Sequence, residues 1–253
     1  TSSRELKTAL TGVAAVGPSA IPPLSTGEVP RVLTVEEIKE LIEKFGQAAR
    51  RAKEAGFDGV EIHGTHGYLI NQFFSLYSNR RTDEYGGSLE KRMRFSLEVY
   101  RRVRELTGKD FLVGYRANAR EFAPIETPLE DVIKLCQSLE KEGVDLIHVS
   151  AGSGEIPATV IKMIPPGSTP RGCYVEFAAA VKAKVGIPVI AVGRINTPEL
   201  AEQILQEGKA DLIATGRALI ADPHWPNKAL TGGVDKIRRC IGCNQGCMEQ
   251  LVQ

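Results

Sequence analysis

The sequence predicts an α/β fold, a TIM-type (β/α)8 barrel, from three observations. A unit recurs: Glu54-Ala-Gly-Phe-Asp-Gly-Val-Glu-Ile, Glu142-Gly-Val-Asp-Leu-Ile-His-Val and Glu207-Gly-Lys-Ala-Asp-Leu-Ile-Ala. Each joins a helix end, a Gly able to turn left-handed, an Asp and a short apolar run. The apolar runs are nearly continuous, as in parallel strands buried on both faces. Helical patterns separate them, so the order is strand–helix–strand throughout.

In chain order, residues 1–33 read as loop, because Gly12, Gly17, Pro18, Pro22, Pro23 and Pro30 punctuate them. Thr34 and Glu37 have capping-box spacing and start a helix over 35–52, with Ile38, Leu41, Ile42, Phe45 and Ala49 on one face. A strand follows at 59–63. Within 78–95, Gly86-Gly87 reads as a turn and Ser88 as a helix start. The next strand is 111–116. Thr127 and Glu130 again have capping-box spacing, with Pro128 at the first helical position. Strands are expected at 144–150, 187–193 and 210–216, with Thr197-Pro198 opening the helix between the last two. Five strand units fall short of the about eight that close a barrel. An open arc would leave exposed edges. The expectation is therefore a barrel fragment lacking roughly its first three strand units.

A length of 253 residues suits one barrel-sized domain. The formal net charge of +1 gives no sign of a nucleic-acid or anionic-membrane partner. No apolar run approaches the ~20 residues of a membrane span, and nothing resembles a signal peptide, although the chain opens on Thr1. Five cysteines, three of them close together near the end, make a poor disulfide framework, so a reducing cytoplasm is expected. Nothing in these bounds excludes a homo-oligomer.

Chemistry-bearing residues fall at the C-terminal ends of the strands: His63, Arg116, Ser150 with Gly152, Gly193-Arg194 and Gly216-Arg217. In a barrel that end carries the active site. Two Gly-Arg pairs at consecutive strand ends fit a phosphate: the glycines let backbone N–H groups approach and arginine adds a planar clamp. The alternative is that each Gly only permits a turn and each Arg is a solvated surface residue. In Glu61-Ile-His-Gly-Thr-His-Gly-Tyr68, His63 and His66 leave the strand together with Tyr68 just beyond. Two imidazole donors could hold a carbonyl oxygen while the phenol delivers a proton. A structural histidine and a core tyrosine form the competing reading, and no third ligand accompanies the pair as a metal site would need.

The stretch from Glu61 to Phe73, followed by Ser78-Asn-Arg-Arg-Thr-Asp-Glu-Tyr-Gly-Gly-Ser-Leu-Glu-Lys-Arg-Met-Arg-Phe95, resembles the Old Yellow Enzyme family of FMN-dependent ene reductases. Val113-Gly-Tyr-Arg116, Ala191-Val-Gly-Arg194 and Thr215-Gly-Arg-Ala-Leu-Ile-Ala-Asp-Pro223 are similar to that family in the same order, so the likeness runs from Gly17 onward. The resemblance implies that His63 and His66 bind the substrate's activating oxygen and that Tyr68 donates the proton. It implies that Arg116 faces the pyrimidine side of FMN, and that Gly193, Arg194, Gly216 and Arg217 hold its phosphate. For Arg116, a buried guanidinium paired with a carboxylate is the alternative.

Cys240-Ile-Gly-Cys243-Asn-Gln-Gly-Cys247 gathers three thiolates whose spacing alone fits an iron–sulfur cluster, zinc or a redox pair. The whole phrase is similar to the [4Fe–4S] segment of the 2,4-dienoyl-CoA reductase and 2-enoate reductase branch of the family. There a fourth Cys follows, and FAD and NAD(P)H bind in a later region that feeds electrons to FMN. The implied division is an FMN-binding partial barrel over 1–239 and the start of a cluster segment over 240–253. No Gly-x-Gly-x-x-Gly fingerprint for FAD or NAD(P)H occurs. Bacterial dienoyl-CoA reductases tend to lack the His pair and carry a histidine where this chain has Gly152-Ser-Gly-Glu-Ile-Pro157, which favours a 2-enoate or general ene reductase acting on an unsaturated small molecule. Amine oxidation of the trimethylamine dehydrogenase type is the rival, although its cysteine phrase is one residue shorter. A non-catalytic electron-transfer or zinc-bound module is the third reading. Cys136, Cys173, His148 and His224 read as ordinary packed or loop residues.

Overall fold

The computed structural model describes residues 14–22 and 27–248. Strands β1 (Val16–Gly17) and β2 (Arg31–Val32) pair in parallel. This corrects the expectation that 1–33 is loop alone: Arg31 N donates to Ala15 O and Leu33 N to Gly17 O. Two-residue strands carry no periodicity to detect. Gly12 and Pro23, part of that expectation, lie outside the described residues.

Helix α1 (Val35–Glu54) opens as predicted. The Thr34 hydroxyl accepts from Glu37 N, and the Glu37 carboxylate accepts from Thr34 N. Ile38 and Ala49 are buried, and Leu41, Ile42 and Phe45 pack against the same core. Then come β3 (Gly59–Gly64), α2 (Leu69–Phe74), α3 (Leu89–Thr107) and β4 (Leu112–Asn118). Ser88 caps α3 by accepting from Lys91 N. Helix α4 (Leu129–Glu142) leads to β5 (Leu146–Ser150), α5 (Pro157–Met163), α6 (Val175–Lys182) and β6 (Val189–Ala191). Helix α7 (Pro198–Gln206), β7 (Leu212–Ile213), α8 (Arg217–Ala221), α9 (Trp225–Leu230) and α10 (Gln245–Met248) complete the order.

Strands β3 to β7 form one parallel sheet in sequence order, each reached through helical crossovers. The fold is α/β of the β/α-barrel type, with five parallel strands of that barrel among the described residues. The recurring unit has a physical basis. Gly56, Gly143 and Gly208 turn the chain at positive φ, which a side chain would oppose. The Asp that follows serves the preceding strand: Asp145 accepts from Val113 N at 2.6 Å, and Asp211 from Val189 N at 2.9 Å. At Thr127 the predicted capping box is absent, because α4 starts one residue later with Pro128 as its cap. The Thr127 hydroxyl instead donates to Glu121 and accepts from Leu76 N. Among the described residues no helix is long and apolar enough to cross a membrane.

Candidate active site

The register of the sheet sets the first half of the site. His63 on β3 lies beside Arg116 on β4, which lies beside His148 on β5. After β3 the chain turns through His66 at φ 65° and Gly67 at φ 76° into α2. Gly67 has no room for a side chain, since a Cβ would stand 2.6 Å from Ser153 Oγ. Its N–H donates to Asn71 Oδ1 at 2.8 Å. This turn brings the predicted trio together: the His63 ring lies 5.3 Å from His66 and 5.2 Å from Tyr68, centroid to centroid. Burial and the neighbouring Arg116 charge push the His63 imidazole down to about 4. At neutral pH it is therefore an uncharged hydrogen-bond donor.

Arg116 is half-buried and makes no ion pair among the described residues. Its Nη2 donates to Ser150 Oγ at 3.2 Å, and its buried Nε has no partner. Burial pulls its pKa down while the Glu61 charge opposes. The carboxylate of Glu61 is held instead by His148 Nδ1 at 2.9 Å. Burial is the largest influence and would raise the Glu61 carboxyl, but this hydrogen bond and the neighbouring His148 and Arg116 charges together hold the group below its ordinary value. His148 is thus packed and paired, as expected.

The second half lies where β6 and β7 end. Gly193 and Arg194 both have positive φ, 121° and 54°. A Cβ on Gly193 would meet Tyr174 Cδ2 at 2.9 Å and Cys173 Sγ at 3.2 Å, so Cys173 sits against the site. Gly216 faces open space. Arg116, Gly193, Arg194, Gly216 and Arg217 all line a single cavity of about 310 Å³, with Ser150 and Tyr174 in its wall. An unpartnered guanidinium nitrogen beside Ser150 and two Gly-Arg pairs fit a phosphate-bearing ring system such as FMN.

Cys240 and Cys247 line the same cavity, whereas Cys243 is exposed. Among the described residues no group of three or more His, Cys, Asp and Glu is placed to hold a metal ion. Polar contacts tie the segment to the barrel: Asn196 Nδ2 donates to Cys240 O, Arg217 Nη1 to Asn244 Oδ1 and Asn244 Nδ2 to Ile164 O. Residues 249–253 of the predicted cluster segment lie outside the described residues. The sequence pointed to Ser150 as a strand end but not to its contact with His66 Nε2 at 2.8 Å, nor to the anchoring roles of Asn196 and Asn244. No local pattern announces those pairings.

The chain matches the NADH:flavin oxidoreductase / NADH oxidase family over residues 3–235. It is 50% identical to a metal reductase of Desulforamulus reducens, covering 98% of this chain and 36% of that protein. It is 49% identical to an NADH oxidase of Thermoanaerobacter brockii (94% and 36%) and 38% identical to a cinnamate reductase of Clostridium sporogenes (96% and 38%). The chain therefore spans a little over a third of these relatives. Among solved structures it is similar to a 2-naphthoyl-CoA reductase in complex with 2-naphthoyl-CoA, with a TM-score of 0.87 and 34% identity over 92% of this chain and 35% of that one. It is also similar to histamine dehydrogenase from Rhizobium sp. 4-9, with a TM-score of 0.82 and 31% identity over 92% and 34%.

Proposed function

The chain belongs to the NADH:flavin oxidoreductase / NADH oxidase family, and from that premise we propose that it carries the FMN and substrate sites of an enzyme reducing activated carbon–carbon double bonds. One observation carries this proposal: the residues for a phosphate, a flavin-facing charge and a substrate oxygen converge on one strand-end face. When bound, FMN supplies the hydride for the β carbon of the substrate. Arg194 and Arg217 would hold the phosphate with Gly193 and Gly216, and Arg116 would place its charge against the ring. His63 and His66 would donate to the activating carbonyl, withdrawing charge from the double bond. Tyr68 would protonate the α carbon.

Cinnamate, named by one relative, is an α,β-unsaturated carboxylate and supports an enoate substrate. The solved histamine dehydrogenase supports amine oxidation as the second reading. NAD(P)H would be the electron source. The spacing of Cys240, Cys243 and Cys247 supports a [4Fe–4S] cluster and a FAD relay in the whole protein, and a reducing, cytoplasmic compartment would keep those thiols available.

In the complete protein, Tyr68→Phe should slow flavin reoxidation by cinnamate by roughly 10²–10⁴ while leaving flavin reduction by NAD(P)H unchanged. Unaltered reoxidation removes Tyr68 from its role. Flavin reduction by amines, with no reoxidation by enoates, replaces this proposal with the second reading.

A further inference from the structure

Ser150 is the last residue of β5 and is 2% exposed. Its position is fixed by the sheet: it lies beside Asn118 in register, and its carbonyl accepts from Ala119 N at 2.8 Å. The side-chain oxygen therefore has little freedom. It touches two groups, Arg116 Nη2 at 3.2 Å and His66 Nε2 at 2.8 Å. These come from different elements, Arg116 from β4 and His66 from the turn after β3. One hydroxyl joins the flavin-facing charge to the substrate-facing imidazole.

The direction of the two hydrogen bonds follows from what each group can offer. A guanidinium has only donors, so Arg116 gives and Ser150 accepts. A hydroxyl has one proton. Among the described residues the other hydrogen-bond partner of Ser150 Oγ is His66 Nε2, so that nitrogen is where the proton goes. An Nε2–H donating to Ser150 would leave the hydroxyl proton buried without an acceptor, which costs about 1–3 kcal/mol.

We propose that Ser150 accepts from Arg116 and donates to His66 Nε2, fixing the neutral His66 ring as its Nδ1–H tautomer. Arg116, Ser150 and His66 then form a chain of donors aligned in one direction. Each bond polarises the next, so part of the arginine's pull reaches the imidazole N–H. Ser150 is a positioning residue: it acts on the substrate through His66. The tautomer rests on the two hydrogen bonds of Ser150, whereas its effect on rate rests on the function proposed above, in which His66 donates to the substrate's activating oxygen.

Four histidines in this chain make the test direct. The holoenzyme labelled with 15N-histidine is studied by NMR at neutral pH, with His66→Gln assigning the signal. The expected result is a protonated Nδ1 and an unprotonated, hydrogen-bonded Nε2 in His66. Ser150→Ala should release the ring toward the Nε2–H form, and Ser150→Thr, which keeps the hydroxyl, should restore Nδ1–H. A protonated Nε2 in the unaltered protein overturns the proposal, as does a tautomer indifferent to Ser150→Ala. The same variants are then mixed, flavin reduced, with cinnamate. Ser150→Ala should slow reoxidation roughly tenfold, less than the ~10²–10³ for deleting a donor to a developing oxyanion outright, and Ser150→Thr should recover most of it. The expected tautomer with an unchanged rate supports the donor chain and instead removes His66 from the function proposed for it.

Discussion

Glu121 shows what burial does to one side chain at the edge of this site. It is 2% exposed, in the segment after β4. Its Oε2 accepts from the Ser75 and Thr127 hydroxyls, while Oε1 is buried without a partner. Burial pushes the carboxyl up to about 7, against the pull of those hydroxyls and helped by the nearby Glu155. The folded protein thus holds a proton between about pH 4.5 and 7 that the unfolded chain has released. Stability contributed by this group is present at low pH and is lost as pH rises through that window. Glu121→Gln should flatten this slope in urea unfolding measured from pH 5 to 8. Above pH 7 it should be the more stable protein, by on the order of 3 kcal/mol. A slope that survives the substitution assigns the titration to another group. At this scale the sequence showed residues whose partners are near in the chain, such as Thr34 with Glu37 and His63 with His66 and Tyr68. It misassigned Thr127, whose hydroxyl was claimed by Glu121, and it passed over the Ser150 bridge. That bridge exists only once β3, β4 and β5 are in register.

Elements were legible wherever a repeated local rule wrote them. The unit of turning Gly, Asp and apolar run located three strands because its parts do separate physical work. The Gly takes positive φ, and two of the Asp carboxylates accept a strand N–H. Strand lengths were less legible. The apolar run 187–193 yields Val189–Ala191, and 210–216 yields Leu212–Ile213. Asp211→Ala should lower stability by about 1–3 kcal/mol, because it leaves the buried Val189 N–H without an acceptor. Lys182→Ala, which removes only the ion pair at the surface, should cost less than about 1 kcal/mol. Equal losses in urea unfolding would mean that the ion pair, and not the strand N–H, is what Asp211 supports.

Across the whole molecule, one strand-end face collects residues from every strand of the arc. Arg116 and Ser150 stand on one side of a cavity, with the Gly193-Arg194 and Gly216-Arg217 ends on the other. That convergence was legible from the barrel rule, which puts loops after successive strands around one mouth. The seating of the cysteine segment was not, because Asn196 and Asn244 hold it through backbone and arginine contacts that no spacing encodes. The central claim, that the nucleotide's phosphate rests where β6 and β7 end, is tested most directly by titrating apoprotein with FMN and with riboflavin, which lacks the phosphate. Arg194→Gln and Arg217→Gln should each weaken FMN binding by roughly ten- to a hundredfold, the loss of about 1.5–3 kcal/mol in charged hydrogen bonds, and leave riboflavin binding unchanged. FMN affinity untouched by both substitutions, or riboflavin affinity falling in step with it, would contradict the claim.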